Sequence, residues 1–261
     1  DHPQLLVMAA HHRLQAGDPV RAEALANRAR AADPQSPDAL NVLALVMIDA
    51  ERAREAIALL ETGLQAQPGL APLHYTKAKA HDLLFELDRV EAELTRVIAL
   101  QPDHTQALAW AATLANDRGD TRAARDLADL ALRREPMLQN AHLALAAADL
   151  AEKKHGDAAT RLSTLLADPD VSPRNRAFAQ SLLGDALDGL DRPVEAFAQY
   201  DAANLEMRRQ FAERTRSGES ALARAGRLAA YFAKADPARW RARKGGAASG
   251  RQRHVFLVGF P

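Results

Sequence analysis

The chain of 261 residues contains no cysteine. That excludes a disulfide framework, a thiolate zinc site and a cysteine nucleophile. It also fits a reducing compartment, and the location expected from it is the cytoplasm. Aromatic residues are scarce, at 5%, whereas apolar residues make up 48% and alanine is abundant. This balance favours closely packed helices over the layers of a β-sandwich. No apolar run approaches the ~18 residues of a membrane span; Val42 to Ile48 is far too short. No signal peptide is visible, and the chain begins at Asp1 without a methionine, which leaves room for a segment upstream. A surplus of one charge is missing as well, with 34 Lys/Arg against 34 Asp/Glu. The distribution is uneven, however. Leu205 to Arg253 carries 13 basic and 4 acidic residues, against 21 and 30 in the first 204, so a stretch of net −9 precedes a tail of net +9. Such asymmetry marks a tail that faces a partner or an anion.

What the chain does have is a period. Pro34, Pro68, Pro102 and Pro136 stand 34 residues apart, and Ala10, Ala44, Ala78, Ala112 and Ala146 keep the same spacing. Only 13 of the 261 residues are proline, so chance is a poor explanation for four in register. A fixed period of this length is the signature of a helix–turn–helix solenoid, an architecture that binds rather than performs chemistry by itself. Each repeat reads as helix A, a turn and helix B. The first runs from about His2 to Gln15, breaks at Gly17-Asp18 and continues to about Ala32. Pro34 ends it, because proline lacks the helical donor and biases the residue before it away from helix. Ser36-Pro37-Asp38 opens the next repeat with an N-cap serine and a proline at the first helical position. The third inter-helix turn is expected near Leu87-Asp88 and the fourth at Gly119-Asp120.

This pattern resembles the tetratricopeptide repeat (TPR) family. The family keeps a small residue in the eighth place, where helices A and B cross, and a bulky side chain there would force the axes apart. It keeps alanine where helix B opens: here Ala22, Ala56, Ala124 and Ala158, with Val90 as the exception. Leu6, Leu40, Leu43, Leu60, Leu94, Leu108, Leu145 and Leu162 fill packing places. After Asp168 the phase slips, and Pro169-Asp170-Val171-Ser172-Pro173 lengthens the junction by about four residues. Leu183-Gly184-Asp185-Ala186-Leu187, followed by Glu195-Ala196-Phe197, Tyr200 and Ala203, then restores the motif. The resemblance covers residues 1–204 and implies an all-α fold, a TPR superhelical solenoid of about six repeats. A generic alanine-rich helical array such as HEAT is the alternative.

The resemblance also implies a concave face lined by helix A. Its inward places hold Gln4, Val7, His11 and Leu14, then Asp38, Asn41, Leu45 and Ile48. Next come Pro72, Tyr75, Lys79 and Asp82, then Gln106, Ala109, Thr113 and Asn116, and last Asn140, Leu143, Ala147 and Leu150. The family's clamp for a terminal carboxylate needs a lysine and an asparagine where Val7 and His11 stand, so that clamp is excluded. Asn41, Tyr75, Lys79, Asp82 and Asn116 are the candidate contacts for a peptide or protein partner, or for another domain of the same protein. A solvated inner face is the competing reading. No metal site is expected: there is no HExxH, and the spacing of His74 and His81 or of His11 and His12 brings in no carboxylate ligand. His74 and His142 instead occupy a packing place. Asp185 and Asp188 read as a polar helix face.

After Asn204 the rhythm stops. Leu205 to Thr215 extends the last helix, Ser217-Gly218 breaks it, and Glu219 to Lys234 forms an amphipathic helix with Leu222, Leu228, Tyr231 and Phe232 as its apolar stripe. Trp240 among Arg239, Arg241 and Arg243 is an anchor, and Lys244 to Gln252 a flexible linker. Residues 205–253 are thus a basic helical linker. His254-Val255-Phe256-Leu257-Val258-Gly259-Phe260-Pro261 is different in kind: an apolar, β-rich run, expected to be the first strand of an incomplete α/β domain (residues 254–261). A strand ending in glycine before a turn is how phosphate-cradling loops begin. Val255 to Pro261 resembles the entry strand of a bacterial family that joins N-terminal TPR repeats to a sulfotransferase domain.

That resemblance implies a parent enzyme moving a sulfuryl group from PAPS to a hydroxyl, with Gly259, Phe260 and Pro261 opening the loop for the cofactor's 5′-phosphate. The family's catalytic histidine and lysine have no counterpart here, since every histidine precedes or abuts that strand. This stretch of chain is therefore expected to be non-catalytic and to need no cofactor of its own. Three rivals remain. One is a stand-alone TPR scaffold. Another is a nucleotide kinase, which would continue with glycine and G-K-[ST]. The third is nucleic-acid binding by the tail, which lacks interleaved aromatics and a recognised fold. No membrane partner is expected.

Overall fold

The structure, a computed structural model, describes residues 2–215 and 221–234. Within them lie thirteen α-helices and no strand. Twelve form six A–B pairs: α1 (Pro3–Gln15) with α2 (Pro19–Ala32), α3 (Pro37–Asp49) with α4 (Ala53–Ala66), α5 (Ala71–Leu83) with α6 (Leu87–Leu100), α7 (Thr105–Asp117) with α8 (Thr121–Arg134), α9 (Gln139–Ala151) with α10 (His155–Ala167), and α11 (Pro173–Gly189) with α12 (Pro193–Thr215). The chain divides into two compact units, Asp1–Gln210 and Phe211–Pro261. In the second, α13 spans Ala221–Lys234, and the first two residues of the helix expected from Glu219 lie outside the described residues. Trp240, the linker and the strand expected at 254–261 lie outside the described residues.

The period is visible as repeated backbone geometry. The last residue before each repeat proline, Asp33, Gln67, Gln101 or Glu135, leaves the helix with φ between −143° and −132° and ψ between 85° and 91°. That is the extended conformation a following proline imposes. Each such residue still donates its N–H to the last turn, at 2.8–3.0 Å, to Ala29, Gly63, Val97 and Ala131 respectively. The A–B turns share a second device. One residue in each adopts positive φ: Gly17 (73°), Glu51 (60°), Phe85 (58°), Gly119 (79°), Lys153 (60°) and Asp191 (57°). The next N–H then returns to helix A at 2.8–3.0 Å, as Asp18 to Arg13 and Glu86 to His81, a left-handed C-terminal cap.

The third turn therefore lies at Leu84–Glu86, not at Leu87-Asp88, which already belong to α6. It is hidden in the sequence because phenylalanine occupies the place that glycine marks in the first and fourth repeats. A bulky residue in this region is strained by roughly 1–2 kcal/mol, and Phe85, 87% exposed, gains little packing in return. Phe85→Gly is expected to raise stability by about 0.5–1 kcal/mol, the relief exceeding the added entropy of the unfolded chain. A urea titration measures it as a higher midpoint at unchanged slope.

The core follows the same register. Ala10, Ala44, Ala78, Ala112 and Ala146 are completely buried, as are Ala22, Ala56, Val90, Ala124 and Ala158. The eight leucines assigned to packing places are all buried too. In the sixth repeat the small place is Gly184, where an added Cβ would lie 2.7 and 2.8 Å from Cδ1 and Cζ of the Tyr200 ring. That ring is held from its other end, because Tyr200 Oη donates to Asp185 Oδ1 at 2.7 Å. The phase slip after Asp168 is absorbed differently from the expected longer junction. α11 has 17 residues where the other A helices have 13, so the insertion becomes one extra helical turn and costs almost no rotation of the apolar face. Arg176 ties this turn down by donating to the carbonyls of Leu166 and Asp168 at 3.2 and 3.0 Å.

Neighbouring repeats are also keyed by charge. Arg52 reaches back to Glu23 at 2.8 Å, and Arg118 to Glu91 and Asp88. Between the fourth and fifth repeats the polarity inverts: Arg125 of α8 binds Asp149 and Glu152 of the next repeat at 2.5 and 2.9 Å.

Candidate interaction groove

Successive A helices pack on one another, α1 on α3, α3 on α5, α7 on α9 and α9 on α11, whereas α2, α4, α6, α8 and α10 each pack between two A helices. The A helices thus form one layer of the solenoid, and the face of that layer turned away from the B helices is the candidate groove. α5 and α7 approach each other least closely in this layer. Bulky rings fill their junction. The Tyr75 ring lies 4.7 Å from that of His104 at a tilt of 41° and meets Trp110 edge-on at 5.9 Å.

Some of the residues assigned to the groove serve the chain itself. Ala109 and Leu143 are fully buried and join the core clusters; the neighbouring A helix covers them, so they line no groove. Asn116 is engaged at one end, its Nδ2 donating to the Ala144 carbonyl at 2.8 Å as a link between the fourth and fifth repeats, while its Oδ1 is buried without a hydrogen-bond partner. Of the five candidate partner contacts, Asn41, Tyr75, Lys79 and Asp82 remain. Asn41 and Tyr75 are half-buried, and the Asn41 Oδ1 is buried without a hydrogen-bond partner. Lys79 is half-buried and places Nζ 4.9 Å from the centre of the Tyr75 ring, within cation–π range. Burial pushes the Tyr75 hydroxyl up and the Lys79 ammonium down from their ordinary values, because both charged forms lose water. Asp82 is exposed at its tip. Desolvation by the surrounding protein raises its carboxyl, and the charge of Arg174, at the start of α11, pulls it back. The inner face therefore brings the third repeat within electrostatic reach of the sixth. Nearer the N-terminus, a cavity of about 380 Å³ opens between α1 and α3, lined by Val7, His11, Asp38, Asn41 and Leu45.

Three histidines serve the scaffold. His74 is buried; its Nε2 donates to the carbonyl of Pro68 at 2.9 Å and its Nδ1 faces Glu93 Oε2 at 2.5 Å. His142, two repeats on, makes the same bond to Pro136 at 2.9 Å. A histidine six residues after the repeat proline was legible in the sequence as a packing residue, but its bond to the proline carbonyl was not. His81 lies against Glu86 at 2.6 Å. Among the described residues no group of three or more His, Asp or Glu side chains is arranged to hold a metal ion, and no described helix is long and apolar enough to cross a membrane.

Glu93 also binds Lys77 at 3.2 Å, and Lys77 binds Glu61 at 3.1 Å. Burial alone would raise the Glu93 carboxyl, but His74 and Lys77 outweigh it and hold it below its ordinary value of 4.5. The unfolded chain therefore binds this proton more readily than the folded one. The network's contribution is complete above the ordinary value and is lost as pH falls below it, through the lower folded value. The stability gap between the native chain and Glu93→Gln should accordingly narrow as urea titrations are taken from pH 6 towards pH 3.5.

Comparison with known proteins agrees with this geometry. Residues 13–80 match the family model described as tetratricopeptide repeat. The fold is similar to that of a tetratricopeptide repeat protein from Parabacteroides merdae, with TM-score 0.60 at 15% identity over 78% of this chain and 79% of that one. It is similar to a thermophilic TPR protein of Thermus thermophilus, with TM-score 0.59 at 18% identity over 69% and 98%. It is also similar to Pseudomonas aeruginosa pilF, with TM-score 0.62 at 14% identity over 87% and 97%. No curated protein sequence matches the chain. Period, fold and family model agree on a helical solenoid of the tetratricopeptide-repeat type.

Proposed function

We propose that the chain is a protein-interaction scaffold that holds an extended segment of a partner protein against the inner face of its A-helix layer. The observation that carries this reading is the row Asn41, Tyr75 and Lys79 on successive A helices. These groups are half-buried, yet their polar capacity is not used up inside the chain. Desolvated polar groups without partners are costly, and a bound backbone or side chain would supply the missing partners. The test places a photo-crosslinking phenylalanine at Leu45, on the inner face, or at Arg54, on the exposed side of α4, and selects dodecapeptides on the full 261-residue chain. Selected peptides should crosslink from residue 45 and not from residue 54. Crosslinking from residue 54 alone, or no selectable peptide, would overturn the proposal.

Residues Val255–Pro261 favour a second, more specific reading, in which the scaffold presents a hydroxyl-bearing protein to a PAPS-dependent sulfotransferase domain. Gly259, Phe260 and Pro261 would then begin the loop that receives the cofactor's 5′-phosphate. The support is the sequence alone, a β-rich strand ending in glycine. Continuation of the gene as Arg-Ser-Gly-Thr-Thr supports this reading; a stop codon, or glycine followed by G-K-[ST], removes it.

A further inference from the structure

We propose that the chain forms a weak symmetric dimer, in which Phe85 of each copy enters an apolar cavity among α6, α7 and α8 of the other. The inference does not depend on the scaffold reading. The cavity opens on the side of the B helices, so the inner face of the A-helix layer stays free for a peptide.

The knob is an anomaly of the third repeat. The other five A–B turns put glycine or a polar residue at positive φ: Gly17, Glu51, Gly119, Lys153 and Asp191. Phe85 alone among them is large and apolar, and it is almost fully exposed. Leu83 and Leu87 on either side are exposed as well, so three large apolar side chains stand out within one turn. A strained backbone that holds an aromatic ring in water gains nothing inside its own chain. Such strain collects where a contact uses it, and such patches mark interaction surfaces.

The hole is an anomaly of the fourth repeat. α7 carries Ala111 and Ala115 where the second repeat has Leu43 and Met47, the third Lys77 and His81, and the fifth Leu145 and Asp149. Small residues at both places leave a cavity of about 380 Å³ between α6 and α8, floored by Ile98, Ala111, Ala115 and Leu127. An aromatic ring has room there, since a cavity of about 150 Å³ already holds benzene. The charges at the mouth are answered within the chain. Arg118 pairs with Glu91 and Asp88, and Asp120 accepts from the Ala123 N–H at 3.0 Å. An apolar side chain entering the cavity therefore strands no charge.

Knob and hole are neighbours, because Arg118 at the mouth binds Asp88, one turn along from Phe85. The exposure of Phe85 shows that it does not fill the cavity of its own chain. A patch that carries a knob beside a matching hole is self-complementary about a two-fold axis, the geometry of a closed dimer, and this makes a second copy the occupant. An aromatic side chain buries about 150–250 Å², so two rings and the walls that receive them cover roughly 600–1,000 Å², the size of a weak interface.

The test is sedimentation equilibrium of the full chain between about 1 µM and about 1 mM, with a dimer Kd expected on the order of 10–100 µM. Phe85→Gly removes the knob and Ala115→Leu fills the hole, and each should weaken dimerisation by about tenfold or more. Glu51→Gly, the same change in the polar turn of the second repeat, should leave it intact. Circular dichroism checks that all three variants fold. Urea titrations at about 1 µM read the monomer, so the stability gain of Phe85→Gly is measured apart from the dimer. A photo-crosslinking phenylalanine at position 85 should attach to residues 91–127 of an isotope-labelled second copy. A chain that stays monomeric throughout, a dimer that survives either Phe85→Gly or Ala115→Leu, or crosslinks that map outside residues 91–127 would overturn the proposal.

Discussion

Replacing Ala112 by leucine is expected to destabilise the chain by about 3 kcal/mol, at the upper end of the cost of overpacking a closed core. Ala112 has no accessible surface and sits where α7 crosses α8, among Leu108, Ala128, Ala141 and Leu145. Leucine adds three carbon atoms to a site with no room for them. The helices would have to separate, and the contact between the fourth and fifth repeats would suffer with them, because in a solenoid each repeat is stabilised mainly by its neighbours. Ala115→Leu is the matched control. Ala115 lies on the same helix but lines an open groove of about 380 Å³ beside Thr95, Arg118 and Leu127, so the added atoms have space and the change should stay within about 0.5 kcal/mol. Urea titrations of the two variants measure the contrast.

Asp149→Ala should cost about 2–3 kcal/mol, less than the roughly 3–5 kcal/mol of breaking a fully buried ion pair, where the partner is left charged and dry. The carboxylate is 2% exposed and bridges two arginines, Arg125 at 2.5 Å and Arg161 at 3.2 Å. The arginine side chains keep 25% and 29% of their exposure, so water recovers part of the loss. Arg125 belongs to α8 and Arg161 to α10, with Asp149 on α9 between them. Its removal should therefore loosen both the fourth–fifth junction and the helix pair inside the fifth repeat. Unfolding of Asp149→Ala should also become less cooperative, with circular dichroism and tryptophan fluorescence from Trp110 no longer coinciding.

The parts of this molecule that repeat could be read from its sequence, and of the parts that break the repeat the phase slip after Asp168 could be located but not the structure it takes. Alanines and prolines at a spacing of 34 identify the solenoid because each meets a steric need that recurs in every repeat. Where one repeat solves the need differently, the signal disappears. Phe85 occupies a left-handed turn without announcing it, and four extra residues before Ala177 become a helical turn rather than a loop. The groove was legible only as a set of inward places. Whether such a place lines a groove depends on how close the next A helix comes, which explains why Ala109 and Leu143 are core, Asn116 is an internal link, and Tyr75 and Lys79 stay accessible. Ion pairs between repeats, such as Arg125 with Asp149, join residues about two dozen positions apart with no local signature.

The most direct test of the scaffold account is a crystal structure of the full chain with the selected dodecapeptide that binds it most tightly. The account predicts an extended peptide lying across α3, α5 and α7 on the side away from the B helices. A peptide bound to the exposed side of the B helices would contradict it.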